Sequence, residues 1–515
     1  MLLVSTEKNP GSRGQSKLEL DIADIRTRLG QITDLLVASQ SQPRRSPDHQ
    51  FPSQETPASA SGSFGAAIPS AFAPSSPVGR GGHGSGVDGS EFPFMIIQSR
   101  PMMDILGLSP DTAQWLVNAE RAAAESSGMQ QSFGAGALRM FMLQSQPITA
   151  ALAAFSEHVH TWYPLFSADF TEAFSSSISE PSPHSVQSCL AMLVVAIGSL
   201  ANHRDTNAAL HERPGQAYYE AAVALLPAAL QGYSLPSLQC LVLFALYQLC
   251  LIRPCQAHDY ITIASFRAQN MLRSRTFPEG SKEDEGLRRA FWVILLVESE
   301  IAVQLDLPHS GIWAYEDIAL PATTEAWHFA PPLADAEITE TSPHSQSCTS
   351  SDSVLVYFLA EIAMRRMLQR CTTSVNMSAG GQLLYAPVIA QELELQLNEW
   401  YKCLPVALRF HMSPTSREDV AELPAAQFLQ TQYFACKASI YWPAVYQAME
   451  LSAAYDELLQ FCNKFFDSFV SFALAASAAV KTCLVNSWTL NSRLEPPRLA
   501  RFYQDMLLKK FLVFS

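Results

Sequence analysis

Apolar residues fill nearly every position from Leu235 to Ile252, with Gln239 and Gln248 as the amide interruptions of the run. A helix that is apolar all round belongs at the centre of a packed helical domain. The next segment, 256–275, is amphipathic. Ile261, Ala264, Ala268 and Leu272 share one stripe, and Arg267 and Arg273 lie off it. A third helix opens on the charged run Lys282–Glu285 and then buries Phe291, Trp292, Leu295, Ile301 and Leu305. Pro308 and Gly311 should end it. Three helices in hairpin succession, the first fully enclosed, need others around them.

The flanking sequence supplies those others. Leu152, Phe155 and Val159 recur at helical spacing before Trp162-Tyr163-Pro164 breaks the pattern, and SCLAMLVVAIGSLANH reads as a second apolar helix. Arg213-Pro214-Gly215 predicts a loop into AYYEAAVALLPAAL. Beyond Pro321 a Thr/Ser/acid-rich stretch, about 322–353, is expected to be exposed and mobile, after which helical patterns resume to about Val485. Almost no segment keeps a period of two, so the expected class is all-α, a large irregular multi-helix domain of packed helix hairpins over 91–515 with its central block at 216–321. No strict repeat length appears, which disfavours a regular solenoid.

The N-terminal part differs. Leu18, Ile22, Ile25, Leu29, Ile32 and Leu36 alternate steps of four and three, the a/d seam of a short coiled coil within residues 1–38. The seam predicts dimerisation, with a helix docked on its own domain as the rival. Residues 39–90 are rich in Pro, Ser, Gly and Ala and read as a disordered linker. Its G-x-G-x-x-G (Gly79, Gly81, Gly84) follows no strand and opens no apolar helix, so it is not a dinucleotide loop.

Composition narrows the chemistry. A net charge of −14 over 515 residues argues against a broad nucleic-acid-binding face. The ten cysteines are scattered, none in CxxC spacing, and read as reduced core residues rather than disulfides or metal ligands. The 235–252 run ends on Arg253-Pro254 and has no aromatic belt, so a core helix is favoured over a membrane span. Catalytic constellations fail on direction. His158 and His160 lie two apart, as do Glu298 and Glu300, and on a helix that spacing sends side chains to different faces. No enzyme activity, catalytic residue, cofactor or metal site is expected.

Pattern by pattern, the chain resembles the large regulatory middle domain of fungal zinc-cluster transcription factors. The carrying residues include Tyr218-Tyr219-x-x-Ala222, the helix from Ser237 to Leu249, and Leu287 to Trp292, similar to the family's "RRrlFW". They continue through Leu305-Asp306-Leu307-Pro308 where "LGRP" is usual, Glu316 to Pro321, Tyr357 to Arg366, and Gln396 to Pro405. Arg289, Phe291, Trp292, Glu298 and Pro308 mark the motif core. The resemblance implies a nuclear, non-enzymatic transcriptional regulator of the pathway-specific kind that works as a homodimer or heterodimer and takes a small-molecule effector, with no membrane association. It departs at the DNA reader, normally a cluster of six zinc-binding cysteines. Here the first cysteine is Cys189, so contact with DNA is expected only indirectly or through that missing module. A helical adaptor or inhibitor that heterodimerises with a full-length factor is the alternative.

Overall fold

In a computed structural model of the chain, the described residues are chiefly 145–179, 185–203, 206–305, 307–322, 351–373, 385–412, 423–451 and 456–480, with shorter pieces at 109, 115, 117–122, 329, 376–377, 383–384 and 485–486. The heptad seam and the Pro/Ser linker lie outside them. The helices are α1 (Ser145–Phe155), α2 (Phe170–Ser179), α3 (Val186–Ala201), α4 (Thr206–Glu212), α5 (Gln216–Gln231), α6 (Leu235–Cys250), α7 (Pro254–Arg273) and α8 (Lys282–Leu305). After the return segment 307–322 come α9 (Ser351–Thr373), α10 (Pro387–Cys403), α11 (Pro424–Leu451) and α12 (Asp456–Ala479). The all-α class holds. One departure is a two-residue antiparallel ladder, in which Asn376 pairs with Leu384 and Met377 with Leu383.

Helix α6 is the axis of the N-terminal half and packs against α3, α5, α7 and α8. That encirclement is why its sequence lacks a polar face: every residue from Ser237 to Cys250 is buried. Its two glutamines reach neighbours through their side-chain amides. Gln239 Nε2 donates to the Leu165 carbonyl at 2.8 Å, and Gln248 Nε2 donates to the Tyr219 hydroxyl at 2.6 Å. Ser234 caps the helix by accepting from the Ser237 amide, with Pro236 in the first turn.

The α7 stripe buries Ile261, Ala264 and Ala268 as expected, but Met271 completes it, while Leu272 is only partly buried. Glycine matters at two contacts. A Cβ on Gly198 would stand 1.9 Å from the Ala151 carbonyl oxygen, so α1 and α3 can meet only because none is present. Gly215 opens α5 at φ 82°, where a Cβ would also strike α3. Helix α1 runs into a π-helical turn, Ser156–His160, that ends before Trp162.

The expectation that 322–353 is exposed fails at Phe329. Its ring is fully buried against Phe155, His160 and Phe170, and its carbonyl accepts from Ser156 Oγ at 3.0 Å. A large aromatic surface in reach of an apolar cluster gains more by burial than by solvation, whatever the polarity of its neighbours in sequence.

Candidate functional site

Helix α8 carries polar residues in two directions, and each fastens a different part of the molecule. On one side lie the motif residues. Arg289, fully buried, pairs with Glu285 at 2.8 Å and donates to the Ala322 carbonyl at 3.0 Å. Glu285 in turn accepts from the Ala322 amide at 2.8 Å. Burial pushes the Glu285 carboxyl above the usual range, and the Arg289 charge opposes that shift. Trp292 Nε1 donates to the Ala319 carbonyl at 3.2 Å, and Phe291 stands edge-on to its ring. Further along, Glu298 accepts from the Ser310 amide and hydroxyl at 2.7 and 2.8 Å, and the Pro308 carbonyl accepts from His258 Nε2 at 3.0 Å. Arg289, Trp292, Glu298 and Pro308 therefore clamp the return segment 307–322 onto α7 and α8, with Phe291 packed against Trp292. They hold structure and do not converge on a cavity.

The other side of α8 meets the C-terminal half. Glu300, two residues beyond Glu298 and turned away from it, pairs with Arg365 of α9. The neighbouring Arg366 lies 4.8 Å over the Trp292 ring and donates to the Glu316 carbonyl. Two adjacent arginines thus read two faces of one seam. Burial works against the Arg365 charge, but the Glu300 and Glu361 carboxylates outweigh it and raise its pKa.

Around that pair lies a small cavity. It is lined by Leu249, Leu296, Val297, Tyr357, Phe428 and Val485 as apolar wall and by Tyr163, Glu300, Glu361, Arg365, Gln432 and Asn486 as polar groups. About 20 Å³ is open to the centre of a water-sized body. Gln432 Nε2 donates to Glu361 at 3.3 Å, and the Tyr163 hydroxyl donates to Asn486 Oδ1 at 3.0 Å. Burial, followed by the Glu361 and Glu300 charges, drives the Tyr163 hydroxyl far above its ordinary pKa, so it stays a protonated donor. Trp162 packs edge-on to both Tyr357 and Phe428 and fixes the aromatic wall. Apolar walls with a few convergent polar groups are the general form of a ligand site.

Sequence reasoning placed Glu298 and Glu300 on different faces, and they are. It missed Tyr163, Gln432 and Asn486, which come from segments up to 323 positions apart. The local signals were Glu361 and the Arg365-Arg366 pair, which interrupt an otherwise apolar run from Val354. His160 is buried and accepts from the Phe166 amide at 2.9 Å, whereas His158 is exposed, so the two serve no common site.

Among the described residues no group of three or more His, Cys, Asp or Glu is placed to hold a metal. The described cysteines are thiols distributed through the helices and do not fit a zinc cluster. Among the same residues no helix is long and apolar enough to cross a membrane.

Residues 152–402 match the fungal specific transcription factor domain. The chain is 36% identical over 496 residues to an Aspergillus rugulosus protein named "Putative transcription factor ecdB", a similarity covering 92% of this chain and 79% of that relative. No solved structure matches it.

Proposed function

The chain belongs to the fungal specific transcription factor domain family, and from that premise we propose that it is a pathway-specific nuclear regulator whose helical domain is the control element. The family is one of transcription factors, not enzymes. The observation that carries the reading is the match across the described helices, joined to a similarity that spans most of a transcription-factor relative. The buried polar cavity at the α8–α9 seam supports an effector role, because a ligand there would touch both halves at once.

Dimerisation through Leu18, Ile22, Ile25, Leu29, Ile32 and Leu36 is the second part of the proposal, supported by their heptad spacing. The partner is a second copy or a related factor that carries a zinc cluster, and DNA is reached through such a cluster. Tethering the full chain to a reporter promoter through an unrelated DNA reader tests the regulatory role. Reporter transcription should change, and an unchanged reporter overturns the proposal. Replacing Ile25 and Leu29 by Asp should abolish self-association or partner capture. Purified chain that binds a DNA sequence tightly and selectively by itself would contradict the indirect route to DNA.

A further inference from the structure

We propose that the seam cavity binds the primary ammonium group of a small ligand. The inference rests on the regulatory reading above and names the chemistry of the regulator. Its first support is the balance of donors and acceptors in the polar lining. Acceptors are the carboxylates of Glu300 and Glu361 and the amide oxygens of Gln432 and Asn486. Three of the donors facing them already have partners. The Arg365 guanidinium goes to Glu300, Gln432 Nε2 to Glu361, and the Tyr163 hydroxyl to Asn486.

The second support is Gln432 itself. The residue is 1% exposed, and its Oε1 takes no hydrogen bond from the protein. A buried amide oxygen calls for a donor, and an ammonium brings three donors and no acceptor. A carboxylate ligand would face two carboxylates. The lining also holds the Asn486 side-chain N–H groups and Arg365 Nε, which has no partner, but two carboxylates against one guanidinium leave a negative excess for a cation to meet. Tyr357 and Phe428 line the same cavity, and aromatic rings attract cations presented to their faces.

Size sets the class more narrowly. About 20 Å³ for a water-sized centre admits an ammonium head, which is close to water in bulk, and excludes a quaternary one. Because the lining comes from α6 and α8 on one side and α9 and α11 on the other, a bound head group would favour the arrangement in which the halves are closed on it.

The test is thermal melting of the full chain titrated with methylammonium chloride against equimolar tetramethylammonium chloride, which matches charge and ionic strength but lacks N–H. Methylammonium should raise the melting temperature saturably while tetramethylammonium does not. Gln432→Leu, close in volume, should weaken the response about tenfold or more, the loss of a hydrogen bond to a charged group. Equal effects of the two salts overturn the proposal, as does a Gln432→Leu chain that responds like wild type. If that variant does not fold, Glu361→Gln carries the same comparison, and the two salts decide the matter on the wild-type chain alone. The melt reads binding without transcription. A salt-specific shift beside an unchanged tethered reporter would therefore sink the regulatory role and keep the site.

Discussion

Helix α6 and the α8–α9 seam are equally hidden from water, yet one is built from apolar surface and the other from charge. Around α6 the buried residues gain from leaving water, and its two interrupting glutamines donate to nearby oxygens. At the seam Glu300, Arg365 and Glu361 are each at most 6% exposed. Taking charges out of water costs several kcal/mol per ion, and mutual attraction offsets that only with good geometry. Apolar packing of the same volume would serve stability as well or better. Charge at the seam is thus better explained by a requirement for a particular arrangement of the two halves than by stability.

The comparison breaks most sharply if one partner of the seam pair is removed. Arg365→Leu should destabilise by about 3–5 kcal/mol, since Glu300 is left buried without its cation, as read by urea unfolding. The double change Glu300→Gln with Arg365→Leu should recover most of that loss. If the double variant is as unstable as the single one, the seam owes its stability to charge after all. Leu243→Ala, at a fully buried position of α6, should cost about 2–5 kcal/mol by the same measurement, and no second substitution at the seam should rescue it.

Smaller effects sharpen the contrast. Glu298→Ala removes two hydrogen bonds to Ser310 and should cost about 1.5–3 kcal/mol. Amide exchange should quicken in 307–322 and stay slow in α6. Ser234→Ala, at the cap of α6, should cost about 1 kcal/mol.

The smallest effect is a pH slope. Burial of the partly exposed Glu394 works to raise its carboxyl pKa. Its Tyr441 and Lys464 hydrogen bonds and the Lys437 charge outweigh that and hold the carboxyl below the ordinary range. A carboxyl depressed in the fold stabilises above the unfolded value of about 4.3 and loses that contribution as pH falls through the folded value. The melting temperature should therefore drop on acidification below that point, and Glu394→Gln should flatten the drop.

Much of the fold was legible because burial leaves a periodic trace. The three central helices fall within about two residues of their expected ends, since Pro254, Pro308 and Gly311 punctuate them. Phe329 was not legible, because it sits in a short apolar stretch, Ala326 to Leu333, with no periodicity to mark one ring for the core. Neither was the cavity. Tyr163, Glu300, Gln432 and Asn486 become neighbours only through tertiary packing, and side chains joined that way share no spacing. The motif residues could be picked out in sequence, but their role could not. Arg289 and Glu298 are fasteners of a returning loop, facing backbone rather than ligand. What sequence did convey was where polar side chains interrupt apolar runs, at Gln239, Gln248 and Arg365-Arg366. Each of those positions makes a contact beyond its own helix.

The central claim is that the seam governs output while the α6 core governs stability. Reporter transcription from the tethered full chain, compared between wild type and the Glu300→Gln/Arg365→Leu double variant, tests it directly. The account predicts a double variant that melts within a few degrees of wild type, as about 1 kcal/mol would allow, but whose reporter output is altered severalfold. A double variant with wild-type output would contradict it.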